Sequence, residues 1–362
     1  MAGPVLIMAG GTGGHVFPAL ALARLLRERS REVVWLGTRK GIEARLVPAE
    51  GFPVEWLSIG GLRGKSAVTL LAAPFRLARS LAEALAVMRR HRPAVVVGLG
   101  GFASGPGGVA AWLCRRPLVV HEQNAVAGFT NRCLARLARE VLTAFPQVFP
   151  PAVKAVEIGN PVRRDIASLP PPAQRFAGRN GPLRVLVVGG SLGAARLNSS
   201  LPAAFARLRE AGVELALRHQ TGERHADTTR GAYLMAGVPA EVAPFIADMA
   251  EAYAWADLVV CRAGALTIAE LAAAGVAALL VPYPHAVDDH QTRNAAFLVD
   301  AGAARCVADR DLTVERAVDE LDALCRDRAR LLVMAEAARG VARPDAAEAL
   351  MRHCLAAAGE AA

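Results

Sequence analysis

One phrase occurs twice in this chain of 362 residues, and it constrains the fold more than any other feature. Near the start an apolar run from Pro4 to Ala9 leads into Gly10-Gly11-Thr12-Gly13-Gly14-His15. About half a chain later, Leu183 to Val188 leads into Gly189-Gly190-Ser191-Leu192-Gly193-Ala194. Apolar runs of this length read as strands buried on both faces of a parallel sheet. The glycines let the chain turn sharply and bring backbone N–H groups close to a ligand. A loop of that kind opening a helix suits phosphate. Two copies predict two domains of one type, with a ligand between them.

Length agrees, because a chain of this size favours two domains over one. With 53% hydrophobic residues it can fill two cores. The six cysteines (Cys114, Cys133, Cys261, Cys306, Cys325 and Cys354) are scattered, without a C-x-x-C pair or Cys/His spacing. That usage fits reduced cytosolic thiols better than disulfides or zinc. The first apolar run breaks at Gly10-Gly11 and lacks a basic flank, so no signal peptide is expected. No stretch approaches the ~20 apolar residues of a spanning helix.

Charge is one-sided. Residues 1–160 hold 20 Lys/Arg against 9 Asp/Glu and contain no aspartate, whereas residues 161–362 hold 22 against 24. An excess confined to one half implies an anionic partner: membrane lipid, nucleic acid or a large phosphate ligand.

Strands are expected at Val5–Met8, Glu32–Leu36, Val54–Leu57, Ala94–Gly98, Leu118–Val120 and Val141–Thr143. Helices are expected to start near Pro18, Gly41, Ala67, Pro106 and Gly128. Such alternation predicts a parallel sheet with right-handed crossovers. Gly159 to Pro182, rich in Pro, Gly and Arg, is the best linker candidate. Alternation resumes with strands near Arg184–Val188, Glu214–Arg218, Asp257–Val260 and Ala277–Val281. From about Pro344 one amphipathic helix is expected, which could pack back on either domain. The predicted division is 1–160 and 161–343, with 344–362 as that returning helix.

Several motifs carry chemistry. Gly60-Gly61-Leu62-Arg63-Gly64-Lys65-Ser66 resembles a Walker A loop but is one residue short, so its phosphate cradle would not close as usual. Gly98-Leu99-Gly100-Gly101-Phe102-Ala103 fits G-x-G-x-x-A, with Glu122 at the distance of a ribose-binding acid. A glycine loop needed for close packing explains it equally well. His15 would lie beside a helix N-terminus, which favours the neutral ring a general base requires. His121-Glu122-Gln123-Asn124 directly follows a strand and reads as a site, or else as a capped helix start. Thr267 and Glu270 can share a helix face, where the carboxylate could accept from a ribose diol or simply offset the helix dipole. Asp288, Asp289 and His290 are adjacent and would point apart, which argues against a metal. Gln291 and Asn294 suit a sugar better. The stretch Leu62–Arg92 carries seven arginines and lysines (Arg63, Lys65, Arg76, Arg79, Arg89, Arg90, Arg92) against Glu83, interleaved with leucines and Phe75. It suits an anionic membrane surface, or is a helix with a solvated basic face.

Taken together, these phrases resemble the MurG family of bacterial glycosyltransferases. The resemblance rests on Gly10–Leu20, Gly100–Gly108, His121–Asn124, Gly159–Arg163, Gly189–Ala194 and Cys261–Thr267, and runs in order along nearly the whole chain. It implies an α/β chain of GT-B architecture, with two Rossmann-like domains facing across a deep cleft. The implied activity is inverting transfer of N-acetylglucosamine from UDP-N-acetylglucosamine to the undecaprenyl-linked acceptor lipid I, giving lipid II. Carried over by motif, Glu270 would hold the ribose diol and Ile246 would meet the uracil through its backbone. Ser191 and the turn Ala265, Leu266 and Thr267, continuing into Ile268 and Ala269, would hold the diphosphate side. Gln291, with Asn294 nearby, would read the sugar. Thr12, Gly13, Gly14, Asn124 and Arg163 would close the site from the other domain. Where family members can carry glutamines, this chain has Asp289-His290-Gln291, which leaves the role of His290 open.

The expected base is His15, with leaving-group charge met by helix dipoles, N–H donors and Arg163 rather than by a metal or cofactor. The only D-x-D, Asp309-Arg310-Asp311, lies outside every motif. Expected partners are anionic inner-membrane lipids, on the cytoplasmic side, and other cell-wall synthesis proteins. Nucleic acid is not expected, because no RNA-binding aromatic motif or helix-turn-helix signal accompanies the charge. A UDP-N-acetylglucosamine epimerase-like enzyme is the alternative, and a nicotinamide-dependent dehydrogenase rests only on Gly98–Ala103.

Overall fold

The computed structural model describes residues 3–60, 73–190, 193–284 and 289–360. It divides into two compact units, one running to Arg163 and resuming at Pro344, the other covering Arg164–Arg343.

The first unit runs β1 (Val5–Met8), α1 (Gly13–Glu28), β2 (Val33–Gly37), α2 (Glu43–Ala49), β3 (Val54–Trp56), α3 (Ala73–His91) and β4 (Val95–Gly98). It continues with α4 (Ser104–Leu113), β5 (Leu118–Glu122), α5 (Phe129–Leu134), β6 (Glu140–Thr143) and β7 (Val156–Glu157). All pairings are parallel, in the order β3-β2-β1-β4-β5-β6-β7. Both faces are covered, which is why the strands are continuous apolar runs. Along β1 and just past it, Val5, Ile7 and Ala9 join one core while Leu6 and Met8 join another.

The second unit opens with α6 (Arg164–Ala167) and α7 (Pro172–Phe176), then β8 (Leu183–Val188), α8 (Ala195–Glu210), β9 (Leu215–Gln220), α9 (Ala226–Met235) and β10 (Glu241–Ala243). There follow α10 (Met249–Trp255), β11 (Leu258–Cys261), α11 (Ala265–Ala274), β12 (Ala277–Leu280), α12 (His290–Asp300), β13 (Ala304–Cys306), α13 (Val314–Cys325) and α14 (Arg328–Gly340). Its sheet is again all-parallel, in the order β10-β9-β8-β11-β12-β13.

The last helix, α15 (Ala346–Ala357), belongs to the first unit. Its Leu350, Met351, Cys354 and Leu355 share a core with Val5, Ile7, Val95 and Val119. His353 Nδ1 meets Glu140 at 2.6 Å, fixing the helix against β6.

Three sequence expectations change. The interval Gly159–Pro182 is not a free linker: it carries α6 and α7, and Arg175 is buried, with its guanidinium on the carbonyls of Ala274, Gly275 and Tyr253. Helix α1 begins at Gly13, with Pro18 inside it rather than at its start. Strand β5 runs on through His121 and Glu122, so those side chains belong to the sheet and not to the loop after it. The start of the basic stretch, with Arg63, Lys65 and most of the Walker-like phrase, lies outside the described residues.

Candidate active site

Each sheet reverses its strand order once, between β1 and β4 in the first unit and between β8 and β11 in the second. In open parallel sheets, ligands bind beyond the carboxyl ends of the strands at such a switch point. The chemistry-bearing loops emerge there in both units.

In the first unit, the β1 loop (Gly10 to Thr12) and the β4 loop (Gly100-Gly101) lie against one another. Gly100 and Gly101 have φ of +100° and +89°. A Cβ on Gly101 would stand 2.5 Å from the Gly10 carbonyl, and one on Gly100 would stand 2.7 Å from Cδ2 of the His15 ring. The glycines of the G-x-G-x-x-A phrase therefore serve close packing. The proposed ribose acid, Glu122, is buried and accepts from Asn124 N, Gly128 N and Asn131 Nδ2 at 3.0, 3.1 and 2.8 Å. It shapes the turn after β5 instead.

His15 is the third residue of α1 and is half-buried. Its Nδ1 lies 3.3 Å from the Gly10 carbonyl. A carbonyl can only accept, so Nδ1 donates to it; in a neutral ring that arrangement leaves the Nε2 lone pair available for a proton. Thr12 caps α1 in extended conformation, and no acidic residue occupies the first turn. The positive end of the helix dipole at Thr12, Gly13 and Gly14 thus has no side-chain anion within that turn.

Asn124 stands just beyond β5, with its amide nitrogen 3.2 Å from Glu122 Oε1. His121, in the same phrase, is fully buried: Nε2 donates to the Gly159 carbonyl at 2.9 Å and Nδ1 accepts from Gln123 at 3.2 Å. Burial pushes its pKa down to about 4. It ties the β5 loop to the segment that leads to Arg163, the last residue of this unit before the chain crosses over.

In the second unit, the β8 loop and the β10 loop are braced through Gln220. Its Oε1 accepts from Gly190 N at 2.9 Å, and its Nε2 donates to the carbonyls of Gly190 and Pro244 at 3.0 and 2.9 Å. One amide thus fixes the glycine pair and the chain two residues before Ile246. Ser191 itself lies outside the described residues.

The β11 loop leads through the N-cap Gly264 into α11, again with no acidic residue in the first turn. Ala265, Leu266, Thr267, Ile268, Ala269 and Glu270 are its first six residues. Glu270 therefore sits in the second turn, beyond the reach of dipole compensation, and one turn on from Thr267. Oε2 of Glu270 accepts from the buried Tyr253 hydroxyl at 3.1 Å.

From α12, Gln291 Oε1 accepts from Ala263 N and Tyr283 N at 3.2 and 2.8 Å, and Asn294 Nδ2 donates to the Ala263 carbonyl at 3.2 Å. Asn294 is fully buried, so its part is to hold the turn before α11. Asp309 of the D-x-D phrase pairs with Arg262 at 2.6 Å. Among the described residues no cluster of His, Cys, Asp or Glu is arranged to hold a metal.

Three residues escaped the sequence reading: Gln220, Tyr253 and Glu43. Each acts on a residue distant in sequence, and Gln220 and Tyr253 carry no local signal. Glu43 has a faint one, since it stands two residues after Gly41 in a helix that is otherwise mostly apolar.

Two sheets of this order, with a glycine loop and a helix N-terminus at each switch point, are those of the GT-B architecture. Residues 5–143 match the glycosyltransferase family 28 N-terminal domain, and residues 184–350 match the C-terminal domain of the same family. Two curated relatives are each named UDP-N-acetylglucosamine–N-acetylmuramyl-(pentapeptide) pyrophosphoryl-undecaprenol N-acetylglucosamine transferase. The one from Alkalilimnicola ehrlichii is 58% identical over 97% of this chain and 98% of its own. The one from Marinobacter nauticus is 57% identical over 98% and 97%. The crystal structure of Acinetobacter baumannii MurG is 42% identical, with a TM-score of 0.85 over 97% of this chain and 99% of that one. The chain belongs to the MurG family. A UDP-N-acetylglucosamine 2-epimerase structure from Listeria monocytogenes, 13% identical with a TM-score of 0.65, shares the fold alone.

Proposed function

We propose that this enzyme transfers N-acetylglucosamine from UDP-N-acetylglucosamine to the C4 hydroxyl of the N-acetylmuramyl group of lipid I. The observation that carries the reading is a division of labour between two similar glycine-loop sites. One offers an imidazole beside a helix N-terminus, the other a carboxylate one turn into a helix. The name and near full-length identity of the relatives support the same substrates.

The second unit binds the donor. Glu270, held by Tyr253, accepts from the ribose hydroxyls. The start of α11 and the Gly189–Ser191 loop receive the diphosphate, the backbone near Ile246 meets the base, and Gln291 meets the sugar. The first unit binds the acceptor, whose diphosphate faces Thr12, Gly13 and Gly14, with Asn124 and Arg163 alongside.

In the reaction, the C4 oxygen attacks the anomeric carbon as the bond to the β-phosphate oxygen breaks, with inversion. The hydroxyl proton passes to Nε2 of His15. Charge growing on the departing UDP is met by N–H groups at the α11 N-terminus, where preorganised dipoles act without rearranging.

The test is incubation with UDP-N-acetylglucosamine and a lipid I analogue, with UDP and disaccharide product measured. Product is expected only when both substrates are present, and UDP without disaccharide would overturn the reading. His15→Ala is expected to lower kcat by about 100-fold to 10,000-fold, the usual worth of a general base. Near-normal turnover at saturating acceptor would remove His15 from that role.

We also place the enzyme at the cytoplasmic face of the inner membrane, held by anionic lipid. Among the described residues no helix is long and apolar enough to cross a membrane. Helix α3 exposes Phe75 and Leu77, 81% and 55% accessible, beside Arg76 and Arg79. Apolar side chains flanked by arginines suit an anionic lipid surface.

A further inference from the structure

A carboxylate lies buried beneath the first glycine loop. Glu43, the first residue of α2, has no exposed surface. Its Oε1 accepts from Thr38 N and Thr38 Oγ1 at 3.0 and 2.7 Å, and its Oε2 accepts from Gly11 N at 2.9 Å. All three bonds are donated to the carboxylate, so the group works as an acceptor only.

Glycines make room for it. A Cβ on Gly37 would press on Glu43 Cγ at 3.0 Å, and one on Gly10 or Gly41 would collide with the carboxylate itself. Gly11 adopts φ of +90°, which turns its N–H inward to Glu43. That choice fixes the peptide between Gly10 and Gly11. The carbonyl of this same peptide, that of Gly10, is the one that His15 Nδ1 meets. One end of the peptide is bound to a carboxylate and the other to the imidazole.

We propose that Glu43 is a positioning residue for the transfer, setting through the Gly10–Gly11 peptide which nitrogen of His15 carries the proton. The proposal rests on His15 being the base. The peptide N–H donates to Glu43 and the peptide oxygen accepts from Nδ1–H, so the two bonds polarise one another in the same sense. A carboxylate at the far end strengthens the carbonyl as an acceptor, which favours the tautomer with Nε2 unprotonated. It also supports the positive charge that the ring gains when it takes the hydroxyl proton.

Glu43→Gln keeps the shape but must turn its NH2 group toward either the Gly11 or the Thr38 donors. The expected result is a kcat lower by about tenfold to hundredfold, the scale of a small misplacement of a reacting group. The KM for UDP-N-acetylglucosamine should stay within about twofold, because the donor belongs to the other unit. Nitrogen-15 spectra of the His15 ring should show a smaller share of the Nδ1–H tautomer in Glu43→Gln than in the parent. Glu43→Asp, which restores the charge, should recover part of both.

A wild-type kcat together with an unchanged His15 tautomer in Glu43→Gln would overturn the proposal, as would a lower kcat with no tautomer change. If Glu43→Gln does not fold, Thr38→Val decides, since it removes one donor and leaves the carboxylate. Losing that competing donor leaves more charge for the Gly11 N–H, so a larger share of the Nδ1–H tautomer supports the proposal, and an unchanged or smaller share overturns it. The tautomer readout stands apart from catalysis. A shifted tautomer alongside a fully active His15→Ala would therefore sink the base assignment while leaving the Glu43 linkage in place.

Discussion

At Gly100 a single hydrogen separates the His15 imidazole from a collision, because a methyl there would fall on its Cδ2 and Nε2 at 2.7 and 2.8 Å. The sequence displayed both residues but not their meeting, since 84 positions lie between them. Glu270 shows the same limit. Its helix, and the face it shares with Thr267, were legible from spacing, whereas its place in the second turn depended on where α11 starts. Its hydrogen bond from Tyr253 could not be read at all, because a buried hydroxyl on α10 gives no local sign of what it touches. Removing that hydroxyl tests the donor site. Tyr253→Phe should raise the KM for UDP-N-acetylglucosamine by about threefold to tenfold, the worth of roughly 1 kcal/mol for one bond, with kcat changed less. Steady-state kinetics would show it, and an unchanged KM would detach Tyr253 from donor binding.

Elements were legible in proportion to how apolar they are. The central strands of both sheets stood out because burial on two faces demands unbroken runs of Val, Leu and Ile. The edge strands β7, β10 and β13 did not: Val156–Glu157, Glu241–Ala243 and Ala304–Cys306 are short and mixed. Two interior strands also carry a buried histidine, His121 on β5 and His219 on β9. His219 lies between the Tyr233 hydroxyl and Asn198 Oδ1 at 2.9 and 3.0 Å. Burial lowers the pKa of His121 to about 4 and that of His219 to about 3. The unfolded chain takes up these protons near pH 6.5, while the folded chain resists them. Stability is therefore complete above about pH 6.5 and falls as the pH drops toward 4. One pH unit below the unfolded value, each histidine costs about 1.4 kcal/mol. Since each unit holds one of them, calorimetry should show both units melting several degrees lower at pH 5.5 than at pH 7. A transition temperature that does not move would contradict the burial of both rings.

Across the whole molecule, charge is divided as the units are, with the positive excess on the first. Lipid attachment should accordingly be electrostatic in part and weaken with salt. Reversing the charge of Arg76, Arg79, Arg89 and Arg90 should abolish most co-sedimentation with anionic vesicles while sparing turnover of a soluble acceptor analogue. Binding indifferent to both anionic lipid and these reversals would refute the membrane reading. The return of α15 has a consequence of a different kind. On the ribosome, α1 can cover part of the sheet face carrying Val5, Ile7 and Val95, but that core stays incomplete until Leu350, Met351 and Cys354 have been made. Everything the second unit needs has been synthesised by then. Domains made vectorially usually close in order from the N-terminus. Here the domain begun first is the last to be sealed, so until then its apolar face is left for chaperones to shield.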